Sequence, residues 1–334
     1  MRLWPAFLIF LTLQAFGGPV KPHPTNISFA PSAVSDSLSQ ITVTQSFQDA
    51  QGALWFVTQE GINKYTGKTV EQFLPSQRHE SSLSSSNVSR ITEDRYGTIW
   101  IATIGGGLNK YNSNLNGFQH FKFDPADQNS PISNDITAVF ADRKGDIWLG
   151  YKNGFSRFNP STNEFAHFIS NVDGLPYIDR VLDFSEDKAG HIWIASNASG
   201  LLSIDVETLK VTSHEISLDN LVANHKPLIS RVLYSYKHGL WLTTFESGVI
   251  RYTTGDGVFA HYTNSETDPS SISSNKILNI YEDNESQIWI ATQAGLNLFA
   301  DYEDHFIRFT TDSTGLPEDA VFSVFQSKEG LYWV

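Results

Sequence analysis

Seven tryptophans at a near-constant interval, short runs of β-branched and aromatic residues, and glycine turns at fixed offsets predict an all-β chain. The specific expectation is a seven-bladed β-propeller of four-stranded antiparallel blades. Trp55, Trp100, Trp148, Trp193, Trp241, Trp289 and Trp333 lie 45, 48, 45, 48, 48 and 44 residues apart, and a period in that range marks a repeat architecture. Four strands in about 45 residues is the content of one propeller blade. Helical solenoids share the period, but runs of about 4–7 Val/Ile/Phe/Trp/Thr-rich residues bounded by Gly are strand chemistry.

Each repeat opens with an apolar stretch ending at an Asp, as in Val88 to Asp94, Ile136 to Asp142, Val181 to Asp187 and Ile277 to Asp283. A Gly-bearing turn follows, such as Asp142-Arg143-Lys144-Gly145. Asp bonds its own downstream backbone and Gly tolerates positive φ, so this is hairpin chemistry. The next run, Ile99-Trp100-Ile101 or Ile147-Trp148-Leu149, does not alternate apolar with polar. A strand apolar on both faces is buried on both faces. Two residues past the Trp sits a small residue in most copies (Val57, Ala102, Gly150, Ala195, Thr243, Ala291), expected to leave room for a neighbouring indole. A second Gly turn leads to a third strand, Gly107 to Tyr111 or Gly295 to Phe299, and a fourth closes the unit, as in Phe118-Gln119-His120-Phe121.

Copy by copy, the apolar strand, the Asp-x-x-Gly turn, the Ile-Trp-Ile run and the Gly-Leu-x-x-Tyr strand resemble the two-component regulator propeller. The resemblance covers roughly residues 27 to 334 and is loosest in copy five, where Ser235-Tyr236-Lys237-His238 replaces the Asp-led turn. Trp is never followed by Asp, so the WD40 signature is absent. The Asp-to-Gly step of three residues also differs from the two of an Asp-box hairpin.

The blades are expected at about 41–74, 86–123, 134–169, 179–216, 229–262 and 275–309, with a partial seventh at 320–334. Residues 1–17 read as a secretory signal peptide, with one charge, a short apolar core and an Ala-x-Gly ending, too short for a comfortable membrane span. Residues 18–26 read as a spacer. Asn26-Ile27-Ser28-Phe29-Ala30 matches a fourth strand, so 27–30 is expected to be donated to the closing blade, removing exposed edges. The sequence stops inside the seventh Trp strand, which suggests the N-terminal part of a longer protein or a prematurely ended product.

Composition narrows the function. With 40% apolar residues the chain can bury one large core, and a formal charge of −13 without basic runs argues against nucleic-acid binding. There is no Cys, so neither a disulfide nor a lipid-modified cysteine is available. The Asp at each first turn is spaced around the ring, too far apart to share a metal, and reads as turn chemistry. His120, His167, His214 and His261 recur on the outermost strand and read as scaffold. Gly-x-Ser-x-Gly, His-Glu-x-x-His and a phosphate-cradling Gly loop are all missing. No catalytic residue, metal or cofactor is expected on this chain.

Ligand contacts are expected where the copies differ most, at the second turns around the channel mouth: Glu60, Tyr151, Lys152, Asn153, Asn197, Phe245, Glu246 and Gln293. The resemblance implies an exported ligand-sensing domain of a membrane-bound signalling protein, periplasmic in a Gram-negative bacterium. It implies a small ligand, in many relatives a glycan fragment, and self-association of the full-length protein. It also implies a membrane helix and a histidine kinase or diguanylate cyclase output outside this sequence. The alternative is an exported propeller lyase or glycosidase acting on oligosaccharides.

Overall fold

The computed structural model describes residues 29–30, 32–216, 227–252 and 259–334. Six antiparallel four-stranded sheets follow one another, each ordered along the chain from inner to outer strand. They occupy residues 43–73, 88–121, 138–169, 181–214, 229–262 and 277–309, here blades 1 to 6. Beyond them, one helical turn (Thr311–Thr314) precedes a two-stranded hairpin, Phe325–Gln326 with Tyr332–Trp333. The expected signal peptide and spacer, and Ile27 and Ser28, lie outside the described residues. Phe29 and Ala30 form no strand, although Phe29 packs against the cluster that holds Trp289 and Tyr332.

The Trp strands are buried along their whole length in Leu54–Thr58, Ile99–Thr103, Ile147–Tyr151 and Ile288–Thr292. Each of these strands has a neighbouring blade or the terminal hairpin packed on either face, which is why its run does not alternate. Apolar clusters fill the seams. Trp55 meets Tyr111 of blade 2 edge-on at 5.1 Å, Trp100 meets Phe158 of blade 3 at 5.7 Å, and Trp241 meets Phe299 of blade 6 at 4.9 Å. A tilted ring contact joins Trp289 to Tyr332 of the hairpin at 4.9 Å, while Trp333 reaches Phe56 of blade 1 at 5.8 Å.

In blade 3 the small residue two places after the Trp makes room for inner strands rather than for an indole. A Cβ on Gly150 would lie 2.8 Å from Val181 Cγ1 and 3.1 Å from Ala138 Cβ. At Gly150 the space is taken by inner strands, the blade's own and the next.

The turn Asp is more than a turn former. In blade 2, Asp94 Oδ1 accepts the N–H groups of Tyr96 and Thr98 at 2.9 Å, and Oδ2 accepts Trp100 Nε1–H at 2.8 Å. Asp49–Trp55, Asp142–Trp148, Asp187–Trp193 and Asp283–Trp289 repeat the indole bond at 2.8–3.0 Å. These carboxylates are buried, and burying a charge is tolerated only when its lone pairs are occupied.

Antiparallel order fixes the two faces of the ring. First and third turns emerge on one face, second turns and the linkers between blades on the other.

Candidate functional site

The inner strands surround a channel. In blades 1, 2, 4, 5 and 6 the inner strand carries a β-bulge one residue before Gln45, Arg90, Asp183, Arg231 and Asn279. A bulge re-aims the side chain that follows it, and all five line a single cavity of about 470 Å3. Each of the five lies four residues ahead of its blade's first-turn residue, Asp or, in blade 5, Ser235.

These polar side chains join neighbouring blades. Gln45 brackets Ile91, donating to its carbonyl at 3.0 Å and accepting its N–H at 3.1 Å. Arg231 Nε donates to Leu278 O at 3.1 Å, and Asn279 Nδ2 to Phe322 O at 3.4 Å. Blade 3 has only Ala138 at this position, and Arg90 of blade 2 spans the gap to Asp183 of blade 4, Nη2 to Oδ1 3.7 Å. Burial raises the Asp183 pKa; the Arg90 guanidinium and the N–H groups of Val232 and Phe184 oppose this without cancelling it. Its carboxylate therefore sits at a cost that Arg90 reduces.

The hairpin takes part in the same pattern. Ser46 Oγ lies 2.9 Å from Ser323 Oγ across the channel wall. At the first-turn end, Glu93 and Glu186 accept the N–H groups of Ala50 and Arg143 from the preceding blade. Gln326 accepts from Asn284 at 3.0 Å, and Gln48 accepts from Lys328 at 2.7 Å. The hairpin thus bonds to blade 6 on one side and to blade 1 on the other.

The second turns form the opposite rim. Glu60, Lys152, Asn153, Phe245, Glu246 and Gln293 are exposed there, and Asn197 is half-buried. Backbone bonds tie four of these turns to the linkers: Ile104 N to Asn87 O, Asn197 N to Arg180 O, Phe245 N to Leu228 O and Gln293 N to Lys276 O, all at 2.9–3.2 Å. Gly248 explains the tight geometry: φ is +76°, and a Cβ would sit 2.2 Å from Tyr262 O.

Tyr151 does not belong to this rim. It is the last residue of its strand, 2% exposed, and its ring lies in the seam between blades 2 and 3, where burial raises its pKa. The blade-3 turn consists of Lys152 and Asn153 alone. None of the eight expected residues lines the channel cavity. The polar belt was missed because the inner strand reads as apolar overall; the signal was a polar residue at a fixed four-residue offset.

The recurrent outer-strand histidines are structural. His120 Nε2 bonds Ser82 O, His167 lies between Ser156 Oγ and Gln128 O, His214 meets Ser203 Oγ, and His261 meets Ser247 O.

Comparison with known proteins agrees with this architecture. Residues 82–105 and 271–294, each running from a linker through the Trp strand, match the two component regulator propeller family. Histidine kinase P4 of Formosa agariphila is 29% identical over 174 residues, 50% of this chain and 12% of that protein. The extracellular domain of a putative hybrid two-component system from B. thetaiotaomicron superposes with a TM-score of 0.76 at 23% identity, covering 91% of this chain and 40% of that one. A catalytically inactive virginiamycin B lyase from Staphylococcus aureus has the same fold, with a TM-score of 0.62 at 12% identity over 87% of this chain and 93% of that one. The chain thus spans about an eighth of the kinase it matches and less than half of the extracellular domain.

Proposed function

From a chain whose repeats are of the two-component regulator propeller type, we propose an exported ligand-sensing domain of a membrane-bound signal-transduction protein. It acts outside the inner membrane of a Gram-negative bacterium and performs no chemistry itself. The output, a histidine kinase or diguanylate cyclase, belongs to another part of the same protein, reached through a membrane helix. The observation that carries the reading is the division of labour around the ring. Seam bonds and the Asp–Trp pairs repeat, while the second-turn side chains change from blade to blade. A surface of variable side chains on a repeated scaffold suits recognition.

The ligand in this reading is a small polar molecule, a glycan fragment, held at the second-turn rim by Lys152, Asn153, Phe245 and Glu246 with Glu60, Asn197 and Gln293. The terminal hairpin serves as the inner half of a seventh blade, a role supported by the seam bonds it shares with blades 1 and 6. Ligand binding would shift the packing of two protomers, a population change passed through the membrane.

The virginiamycin B lyase likeness is one of fold alone, and a fold does not carry an activity. An oligosaccharide lyase or glycosidase is the alternative. Calorimetric titration with a panel of oligosaccharides, with product analysis of each mixture, separates the two. Saturable binding without turnover supports the sensor; turnover supports the enzyme and defeats the sensor reading.

A further inference from the structure

On the first-turn face, away from the second-turn rim, a cavity of about 570 Å3 opens between blades 1 and 2. It brings together two lysines from the third strands of adjacent blades, Lys64 and Lys110. Lys64 Nζ lies 5.1 Å from the Trp55 ring centre, 4.8 Å from that of Tyr111 and 3.4 Å from Tyr111 Oη. Lys110 Nζ lies 5.3 Å from the Trp100 ring centre.

The other blades show what is missing here. The third-strand residue opposite the Trp is also cationic in blades 3 and 5, as Arg157 and Arg251. There a carboxylate answers it: Asp146 lies 3.7 Å from Arg157, and Asp304 lies 4.0 Å from Arg251. The positions aligned with Asp146 are Ala53 in blade 1 and Thr98 in blade 2. Glu71, opposite Lys64 on the outer strand, is engaged by Asn116 Nδ2. Asp49, at the cavity wall, is committed to Trp55 Nε1–H and the Ala53 N–H. Among the described residues, neither ammonium has an ion-pair partner.

Two cations therefore share one cavity whose lining carboxylate, Asp49, is turned to Trp55 and the Ala53 N–H and pairs with neither, in a chain of formal charge −13. The lining adds neutral donors, Thr66, Thr98, Ser113 and Gln119. We infer that this cleft is a binding site for a small oxyanion, a carboxylate or a phosphate. Charge-assisted hydrogen bonds from both lysines would hold it, and the Trp55 and Tyr111 rings fix Lys64 in place. The site is separate from the second-turn rim and does not depend on the sensing reading.

Both lysines sit over tryptophans, so indole emission reports occupancy. The chain is titrated with inorganic phosphate and, separately, with succinate at low ionic strength, where charge pairing is least screened. A saturable change is expected with at least one of them, and whichever saturates identifies the class. Lys64→Gln and Lys110→Gln should each weaken it at least about tenfold, as expected for a lost charge-assisted contact. Lys64→Arg, which keeps the charge, should retain binding, as should Lys144→Gln, at an exposed residue paired with Glu207. An unsaturated response to both probes, or undiminished affinity in Lys64→Gln and Lys110→Gln, overturns the site.

Discussion

Blades 3 and 5 place the same tryptophan in the same strand and hold it by different means. In blade 3, Asp142 Oδ1 accepts the N–H groups of Lys144, Gly145 and Asp146, and Oδ2 accepts Trp148 Nε1–H at 2.9 Å. In blade 5, Ser235 Oγ accepts from Lys237 and His238 at 3.3 and 3.1 Å and donates to Glu282 at 2.8 Å. Nothing among the described residues accepts from Trp241 Nε1. Tyr262 instead stacks on Trp241 at 5.9 Å, and the Arg251 guanidinium lies 5.7 Å from its ring centre. His238 closes the turn, its two nitrogens 3.2 Å from Asp301 and 3.0 Å from Ser286 O. Blade 5 shows that a blade requires its turn N–H groups to be satisfied and its indole to be packed. The indole hydrogen bond adds to this and is dispensable.

Removing the turn acceptor should have the largest effect. Asp142→Ala leaves the Lys144 and Asp146 N–H groups and one buried indole N–H without their acceptor, while Gly145 N–H keeps the residue-142 carbonyl, and should cost about 3–4 kcal/mol in urea unfolding. Ser235→Ala, which removes two long accepted bonds and the one donated to Glu282, should cost about 1–2 kcal/mol. Equal losses in the two blades would sink the comparison.

The indole bond can be isolated more finely. Trp148→Phe loses ring volume and also strands Asp142 Oδ2, whereas Trp241→Phe loses only volume and its Arg251 contact. The blade-3 variant should be less stable than the blade-5 variant by about 1–2 kcal/mol. Thermal unfolding of the two proteins side by side gives the difference, and a reversed order would mean that Trp241 has an acceptor.

A smaller effect concerns blade 4, where His214 packs 4.7 Å from Trp193. Burial, and to a lesser degree the charge of His191, lowers its pKa from the ordinary 6.5. A depressed native value means that the unfolded chain takes the proton first. The stability contribution is then complete above about pH 6.5 and is lost as pH falls through the native value. His214→Gln should flatten the stability profile in that window. An unchanged slope in that variant would place the titration elsewhere.

Much of the scaffold was legible in the sequence because its determinants are local. Trp148 and Asp142 lie six residues apart on one hairpin, and Gly145 takes its φ of +95° from a turn of four residues. The six-residue Asp–Trp interval is equally local, but an Asp that closes a turn and one that also accepts an indole N–H are the same letter in a sequence. Tyr151 was misplaced because the strand runs one residue further than the Trp run suggests, so its ring falls in a seam rather than at a tip. The channel belt is harder to read. Arg90 reaches Asp183 only because Ala138, from the blade between them, is short, and that relation exists only once the ring has formed. The cleft at Lys64 and Lys110 is likewise defined by what Ala53 and Thr98 lack relative to Asp146.

The account places recognition at the second turns and scaffolding at the first. Hydrogen exchange read by mass spectrometry, on the free chain and on the chain saturated with an oligosaccharide from the binding panel, tests this directly. Slowed exchange is predicted at residues 59–60, 152–153, 197–198, 245–246 and 293–294, with the first turns unchanged. Slowing confined to the first turns, or spread evenly over all blades, would contradict it.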